Sequence, residues 1–417
     1  MSSKQNKKAK PSEKPAVIRR EDSIRISDNV AGRVREGHPW IFQNALLGRK
    51  VNSPSGTVLD VLDSGGKFVA RALCDLDDQI TLRVFSRRSR VLLDSKHFAM
   101  VVARAARLRR NMLDLGPLSC FRGLSGDSEG VPAVNVDHYG PYIVVCIYSQ
   151  VAEKYLDQFL DAYEEVWNPE GVYLQRRFLS PPSGRARPGA ELIRGKTAPT
   201  EIVVAEGRTR FVVDVTAPLG TGLFADMRLG RSVVARLAPG RRVLNCFSYA
   251  GAFSIVAAIH GANSVLSIDS SARAHGWARR NFLENGIATQ DRAYSFEVGD
   301  VFAVLTQLAE KNEKFDLLIL DPPSFSGGKT RPFSAVGDYA ELVKTGLTVL
   351  EHDGVLFAAS NMAKLPAQDL ERALGQGARA VRRDLLISER IGQPPDFPVS
   401  PGFAEGNYLK AFVAWVD

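Results

Sequence analysis

The stretch RRVLNCFSYAGAFSIVAAIHGANSVLSIDSS (Arg241–Ser271) decides the fold, together with SFEVGD (Ser295–Asp300) and KFDLLILDPPSF (Lys314–Phe325). Three short apolar runs, Val243-Leu244, Val265 to Ile268 and Leu317 to Leu320, each end in a polar or glycine-bearing turn. Runs that are apolar throughout and separated by helix-length segments read as buried parallel strands. The predicted fold class is therefore α/β. In such sheets ligands sit outside the carboxyl ends of the strands. The residues to read for chemistry are Phe247, Ser248, Tyr249 and Gly251, then Asp269 and Ser270, then Asp300, then Asp321 to Phe325.

The first turn reads CFSYAGAF, and Gly251 precedes the apolar helix Ala252 to His260. A glycine there lets the backbone approach a ligand closely. The turn lacks GxGxxG, which disfavours a dinucleotide. Asp269 follows about twenty residues later, where a carboxylate accepts hydrogen bonds from both ribose hydroxyls. Asp300 ends a third candidate strand and can accept from an adenine amino group. Adenine and ribose without a pyrophosphate cradle point to S-adenosylmethionine. Each aspartate alone also reads as a helix N-cap, but that does not account for Asp321-Pro322-Pro323. Two prolines after a buried strand fix the turn and remove two backbone donors, which holds neighbouring carbonyls toward the cleft. Phe325 can stack on a planar base, or it can pack in the core behind a stiff turn.

These motifs resemble the class I methyltransferases of the ribosomal RNA large-subunit methyltransferase I type. The resemblance rests on LNCFSYAG (Leu244 to Gly251), SIDSS (Ser267 to Ser271), ARRNFLENG (Ala278 to Gly286), FDLLILDPPSF (Phe315 to Phe325) and GNYLKAF (Gly406 to Phe412). It continues upstream through TGLFADMR (Thr221 to Arg228), GDSEGVPAVNVD (Gly126 to Asp137) and GHPWIF (Gly37 to Phe42). It implies an N-terminal β-rich PUA RNA-binding domain, a small central α+β domain and a C-terminal Rossmann-like methyltransferase domain. It also implies large-subunit rRNA as substrate and suggests a homodimer. By the same resemblance Asp226 and Arg228 help close the cofactor pocket, Arg228 neutralising the methionine carboxylate or a phosphate.

One position departs from the family. The resemblance predicts a nucleophilic cysteine after the strand Gly354 to Ala359, where this chain has Ser360-Asn361-Met362. Cytosine C5 is not nucleophilic until a group adds to C6, normally a thiolate. The chain's four cysteines are Cys74, Cys120, Cys146 and Cys246, and Cys246 reads as a packed small residue in a strand. A Ser-Asn pair here resembles the guanine-N7 module of another large-subunit rRNA enzyme, in which the acceptor nitrogen brings its own lone pair. Three readings stay open: cytosine C5 methylation, guanine nitrogen methylation, and a noncatalytic RNA-binding protein that retains the pocket. For catalysis the candidates are Asp321, Pro322, Pro323 and Asn361.

Composition bounds the rest. The chain has 417 residues, 45% of them hydrophobic, and a net charge of +8. That length suggests two to three domains, and the charge favours a polyanionic partner such as RNA. Scattered cysteines without CxxC argue against structural zinc and disulfides and fit a cytoplasmic protein. No apolar run is long enough to span a bilayer. Residues 1–16 read as a disordered basic tail and 17–88 as short β-runs of the PUA-like domain, with Arg33 and Arg35 as candidate RNA contacts. Trp40 reads as a core residue or a stacking platform. Residues 89–215 read as a basic linker helix and the central domain, including one amphipathic helix from Val151 to Val166. Residues 216–417 read as the methyltransferase domain, with Lys329 and Arg331 facing phosphate and a final hairpin over Gly402 to Trp415.

Overall fold

The computed structural model describes residues 23–48, 51–179, 188–218, 220–323, 325–326 and 333–417. The expected tail, and with it Lys329 and Arg331, lie outside the described residues. No helix among the described residues is long and apolar enough to cross a membrane.

The first module contains β1 (Ser23–Arg25), α1 (Asp28–Glu36), β2 (Trp40–Ile41), β3 (Val58–Leu62), β4 (Phe68–Cys74) and β5 (Leu82–Ser86), with the sheet ordered β1-β3-β4-β5-β2. Helix α1 corrects the all-β reading of this region. Only Ala31 and Val34, three apart, bury from it, too little periodicity to stand out among basic residues. Gly37 ends α1 at φ 132°, and a β-carbon there would overlap the Pro401 carbonyl. The first module thus touches a segment more than three hundred residues away in the chain.

The second module runs α2 (Ser95–Met112), β6 (Cys120–Ser125), α3 (Gly126–Glu129), β7 (Val134–Tyr139), β8 (Tyr142–Ile147), α4 (Leu156–Trp167), β9 (Gly171–Arg176) and β10 (Glu191–Gly195). Its strands are ordered β10-β9-β8-β7-β6. A hairpin of β11 (Ile202–Glu206) and β12 (Thr209–Val213) follows. The single helix expected over Val151 to Val166 is divided. A 3₁₀ turn, Gln150–Lys154, is capped by Ser149 Oγ, and α4 restarts after Tyr155. Helix α2 is the basic linker helix expected from the sequence, but its Arg109 faces neither phosphate nor solvent and is fully buried. It donates to both Glu129 oxygens at 2.6 and 2.8 Å and to the Asp396 carbonyl at 2.8 Å.

The third module runs α5 (Arg228–Leu237), β13 (Arg242–Cys246), α6 (Ala252–Ile259), β14 (Ser264–Asp269), α7 (Ala272–Glu284), β15 (Tyr294–Val298), α8 (Val301–Glu310) and β16 (Phe315–Leu320). A short ribbon of β17 (Phe325–Ser326) and β18 (Phe333–Ser334) precedes α9 (Ala335–Leu347), β19 (Leu350–Ser360), α10 (Ala367–Ala380), β20 (Leu385–Ile391) and β21 (Lys410–Val416). The seven strands are ordered β15-β14-β13-β16-β19-β21-β20. The first five are parallel, and β21 runs antiparallel between β19 and β20. The final hairpin is therefore β20 with β21. Gly402 to Leu409, expected to open it, instead belongs to the long connection between the two strands. Leu244, Leu318, Ile319 and Leu356 are fully buried, as central strands covered by helices on both faces require. From β13 the chain moves to β14 on one side and later to β16 on the other, so the carboxyl ends of β13 and β16 flank the switch point where such sheets bind ligands.

Candidate active site

A cavity of about 590 Å³ opens at that switch point, a size typical of small-molecule sites. It is lined by Phe247, Ser248 and Tyr249 after β13, Asp269 and Ser270 after β14, and Gly299 and Asp300 after β15. Asp321, Pro322 and Pro323 after β16 and Asn361 after β19 complete the strand-end set. Phe224, Asp226, Met227 and Arg231 close it from the segment leading into α5.

The first turn is shaped by its backbone. Phe247, Tyr249 and Gly251 have φ of 58°, 48° and 74°, a region that non-glycine residues occupy at a cost. Asp269 helps hold them, because its Oδ2 accepts from Tyr249 N at 2.8 Å and its Oδ1 from Ser271 N at 2.9 Å. A carboxylate has about four acceptor positions, so the same side chain that fixes the turn retains capacity for ligand hydroxyls. Asp300 caps α8 through Ala303 N at 3.1 Å. The N-cap and ligand readings are thus compatible at Asp300, whereas the cap of α7 is Ser271 and not Asp269. Gly251 itself does not line the cavity, contrary to expectation. A β-carbon there would lie 2.8 Å from Ala278 Cβ on α7, so its role is the left-handed turn and close packing of the turn against that helix.

Arg228 is also not at the cavity. Its guanidinium is engaged by the buried Asp396 carboxylate and the Cys120 carbonyl. Arg231, one turn further along α5, lines the cavity instead, but it is bidentate to Glu206 and donates to the Phe224 carbonyl. Asp226 accepts from the Tyr408 hydroxyl at 2.8 Å. Burial holds the Asp226 carboxyl above the usual carboxylate range. Burial, and then the nearby Asp226 charge, push Asp321 up to about 7.

Two supports escaped the sequence reading. The Tyr339 hydroxyl, fully buried on α9, reaches the carbonyls of Leu320 at 3.2 Å and Ala359 at 2.9 Å. It therefore ties together the ends of β16 and β19, from which Asp321 and Asn361 project. Lys410 Nζ donates to the Met362 and Leu365 carbonyls at 2.6 and 2.7 Å, fixing the turn after Asn361. A tyrosine in an amphipathic helix and a lysine opening a strand carry no local signal of such roles. Phe325 enters the short ribbon, its backbone paired with Ser334. Arg33 and Arg35 lie on the surface of the first module, 3.9 Å from Glu405 and 2.7 Å from Asp63. Such exposed pairs are weak, about 0–1 kcal/mol, and leave both arginines able to exchange partners.

Residues 165–413 match the family described as S-adenosylmethionine-dependent methyltransferase, and residues 24–87 match a PUA-like domain. The chain belongs to the S-adenosylmethionine-dependent methyltransferases. This methyltransferase is 31% identical over 383 residues to ribosomal RNA large subunit methyltransferase I of Erwinia tasmaniensis, covering 91% of this chain and 95% of that protein. It is 29% identical over 380 residues to the enzyme of the same name from Shewanella denitrificans, covering 91% and 95%. A crystal structure described as a candidate methyltransferase complexed with S-adenosylhomocysteine shares the fold, with a TM-score of 0.85 at 23% identity over 94% of this chain and 99% of that one. The cofactor of this methyltransferase is S-adenosylmethionine. The cavity fits it: apolar walls from Phe247, Phe253 and Val301 suit an adenine ring, and carboxylates stand at three successive strand ends.

Proposed function

We propose that this methyltransferase modifies a base of large-subunit ribosomal RNA, and that the acceptor atom is a nitrogen. The full-length similarity to large-subunit rRNA methyltransferases and the +8 net charge support the substrate class. The observation that carries the acceptor is the placement of the thiols. All four cysteines are buried, and none lines the cofactor cavity. Cys246, the nearest in sequence to the first turn, is fully buried, and burial drives its thiol well above the ordinary value. A thiol so raised supplies no thiolate for attack at C6 of cytosine. A base nitrogen needs no such addition.

In this reading Asp269 holds the ribose hydroxyls, Asp300 the adenine amino group, and Phe247 and Val301 the ring faces. The sulfonium of the cofactor supplies an activated methyl group, so the protein's task is alignment. Asn361 and the carbonyls around Pro322 hold the edge of a base extruded from its stack. The nitrogen lone pair forms the new N–C bond as the S–C bond breaks. If that nitrogen carries a hydrogen, Asp321 is placed to take the proton, because its raised value keeps it close to balance at neutral pH.

The test incubates purified protein with methyl-labelled cofactor and an unmodified large-subunit rRNA transcript, then identifies the labelled nucleoside by mass spectrometry. An N-methylated nucleoside is expected. 5-Methylcytidine would overturn the nitrogen acceptor, and the absence of any labelled nucleoside would overturn the substrate.

A further inference from the structure

His275 stands in the first turn of α7 and is only 2% exposed. Its Nε2 lies 3.2 Å from Ser248 Oγ, and Phe296 of β15 packs edge-on against its ring, the centroids 5.6 Å apart. Ser248 is the residue between Phe247 and Tyr249, both of which have left-handed φ. All three line the cofactor cavity. The Ser248 main chain is held on both sides, its N donating to the Ile268 carbonyl at 2.9 Å and its carbonyl accepting from Gly251 N at 2.8 Å. Left-handed non-glycine residues persist only where their surroundings over-determine them. The His275 ring adds a side-chain hold at the centre of this turn.

The surroundings of the ring also fix its hydrogen. Burial holds His275 below the ordinary histidine value, against the raising effect of Asp269 and Glu297 and with the help of Arg279. The ring is therefore neutral at pH 7 and carries one N–H. Its Nδ1 is buried with no partner among the described residues. A hydrogen on Nδ1 would be an enclosed donor without an acceptor, an arrangement folded proteins avoid. On Nε2 the same hydrogen meets Ser248 Oγ. The hydrogen of the Ser248 hydroxyl can then rotate away from the ring, and Ser248 borders an open cavity where that hydrogen can find an acceptor.

We infer that His275 is a positioning residue for the cofactor site, its Nε2–H donating to Ser248 Oγ and so fixing the turn that lines the cavity. It complements Asp269, which holds the next residue of the same turn through Tyr249 N. The turn is thus gripped from the end of β14 and from α7. This role concerns the binding of S-adenosylmethionine, and it stands whichever atom of the RNA accepts the methyl group.

The experiment measures S-adenosylhomocysteine affinity by calorimetry for full-length wild type, His275→Gln and His275→Phe. A glutamine amide can place an N–H where Nε2–H stands, whereas phenylalanine fills the space with a ring that donates nothing. The phenylalanine variant is expected to bind about three- to tenfold more weakly, the worth of one hydrogen bond. The glutamine variant should stay within about twofold of wild type. A role in packing alone reverses that order, so wild-type affinity in the phenylalanine variant would overturn the inference, as would equal losses in both variants. Nitrogen-15 NMR of histidine-labelled wild type supplies a readout that needs no substitution, with the His275 ring assigned through its contact with Phe296. The Nε2–H tautomer is expected at pH 7, and an Nδ1–H tautomer or a doubly protonated ring would sink the proposed hydrogen bond.

Discussion

Two groups of buried acidic side chains, one at the module junction and one in the cofactor cavity, are treated in opposite ways. At the junction, Asp396 is fully enclosed, receives the Arg228 guanidinium and accepts from Arg122 N at 2.8 Å. Beside it Glu129 is bidentate to Arg109. In the cavity, Asp321 faces a second carboxylate, Asp226, and the nearby Arg231 is committed to Glu206. Paired charges lock geometry, whereas a carboxyl that no cation among the described residues is dedicated to stays responsive to protons and ligands. The difference teaches that these arginines assemble the modules, and that among the described residues no arginine is dedicated to the acid in the reactive site.

The largest effect should come from breaking the junction. Asp396→Ala leaves the half-buried Arg228 beside no carboxylate and Arg122 N without its acceptor, and should cost about 3–5 kcal/mol, read by denaturant unfolding. A loss below 1 kcal/mol would erase the contrast. Next, for an acceptor nitrogen that carries a hydrogen, Asp321→Asn should lower methyl transfer about a hundredfold or more. It should also raise the melting temperature at pH 8. The sign follows from the raised value: the folded state holds a proton that the unfolded chain releases. This group therefore costs no stability below 3.8 and progressively more as pH rises from there through about 7, and asparagine removes that cost. For wild type, kcat/KM should climb with pH through about 7, and the climb should vanish in the asparagine variant. A smaller loss is expected for Asp269→Ala, about 10–100-fold in S-adenosylhomocysteine affinity, as befits hydrogen bonds to a charged group. The smallest is Cys246→Ala, whose rate should stay within about twofold of wild type, since a thiol this buried does not react. Loss of methyl transfer in that variant would reinstate the covalent route to cytosine.

Much of the catalytic sheet was legible because its strands are short, apolar and end in charged turns. Residues such as Asp269, Asp300 and Asp321 declare themselves by following Ile268, Gly299 and Leu320. What was not legible depends on partners distant in the chain. Arg228 and Arg231 sit three apart on one helix, and only Asp396 and Glu206 determine which of them reaches the cavity. Gly251 looked ligand-facing because its packing partner, Ala278, belongs to another helix. Arg109 looked solvent-facing on a basic helix because Glu129 and the Asp396 carbonyl are invisible to local periodicity. Strand β20 was missed, and the final hairpin misplaced, because the hydrogen-bonding partner of Leu385 to Ile391 begins nearly twenty residues further on.

The placement of β21 between β19 and β20 bears on how the chain is made. Synthesis delivers β20 before β21, yet β20 joins the sheet only through β21. Until β21 arrives, the row Val355 to Ala359 keeps one edge open, and an apolar unpaired edge invites pairing with other nascent chains. The connection that carries β21 into place also carries Asp396 to Arg109, 287 residues upstream. Contacts of that span form slowly. Maturation of the cofactor site and closure of the junction should therefore be a single late event, and a crowded ribosome is where its failure would first appear, as aggregation.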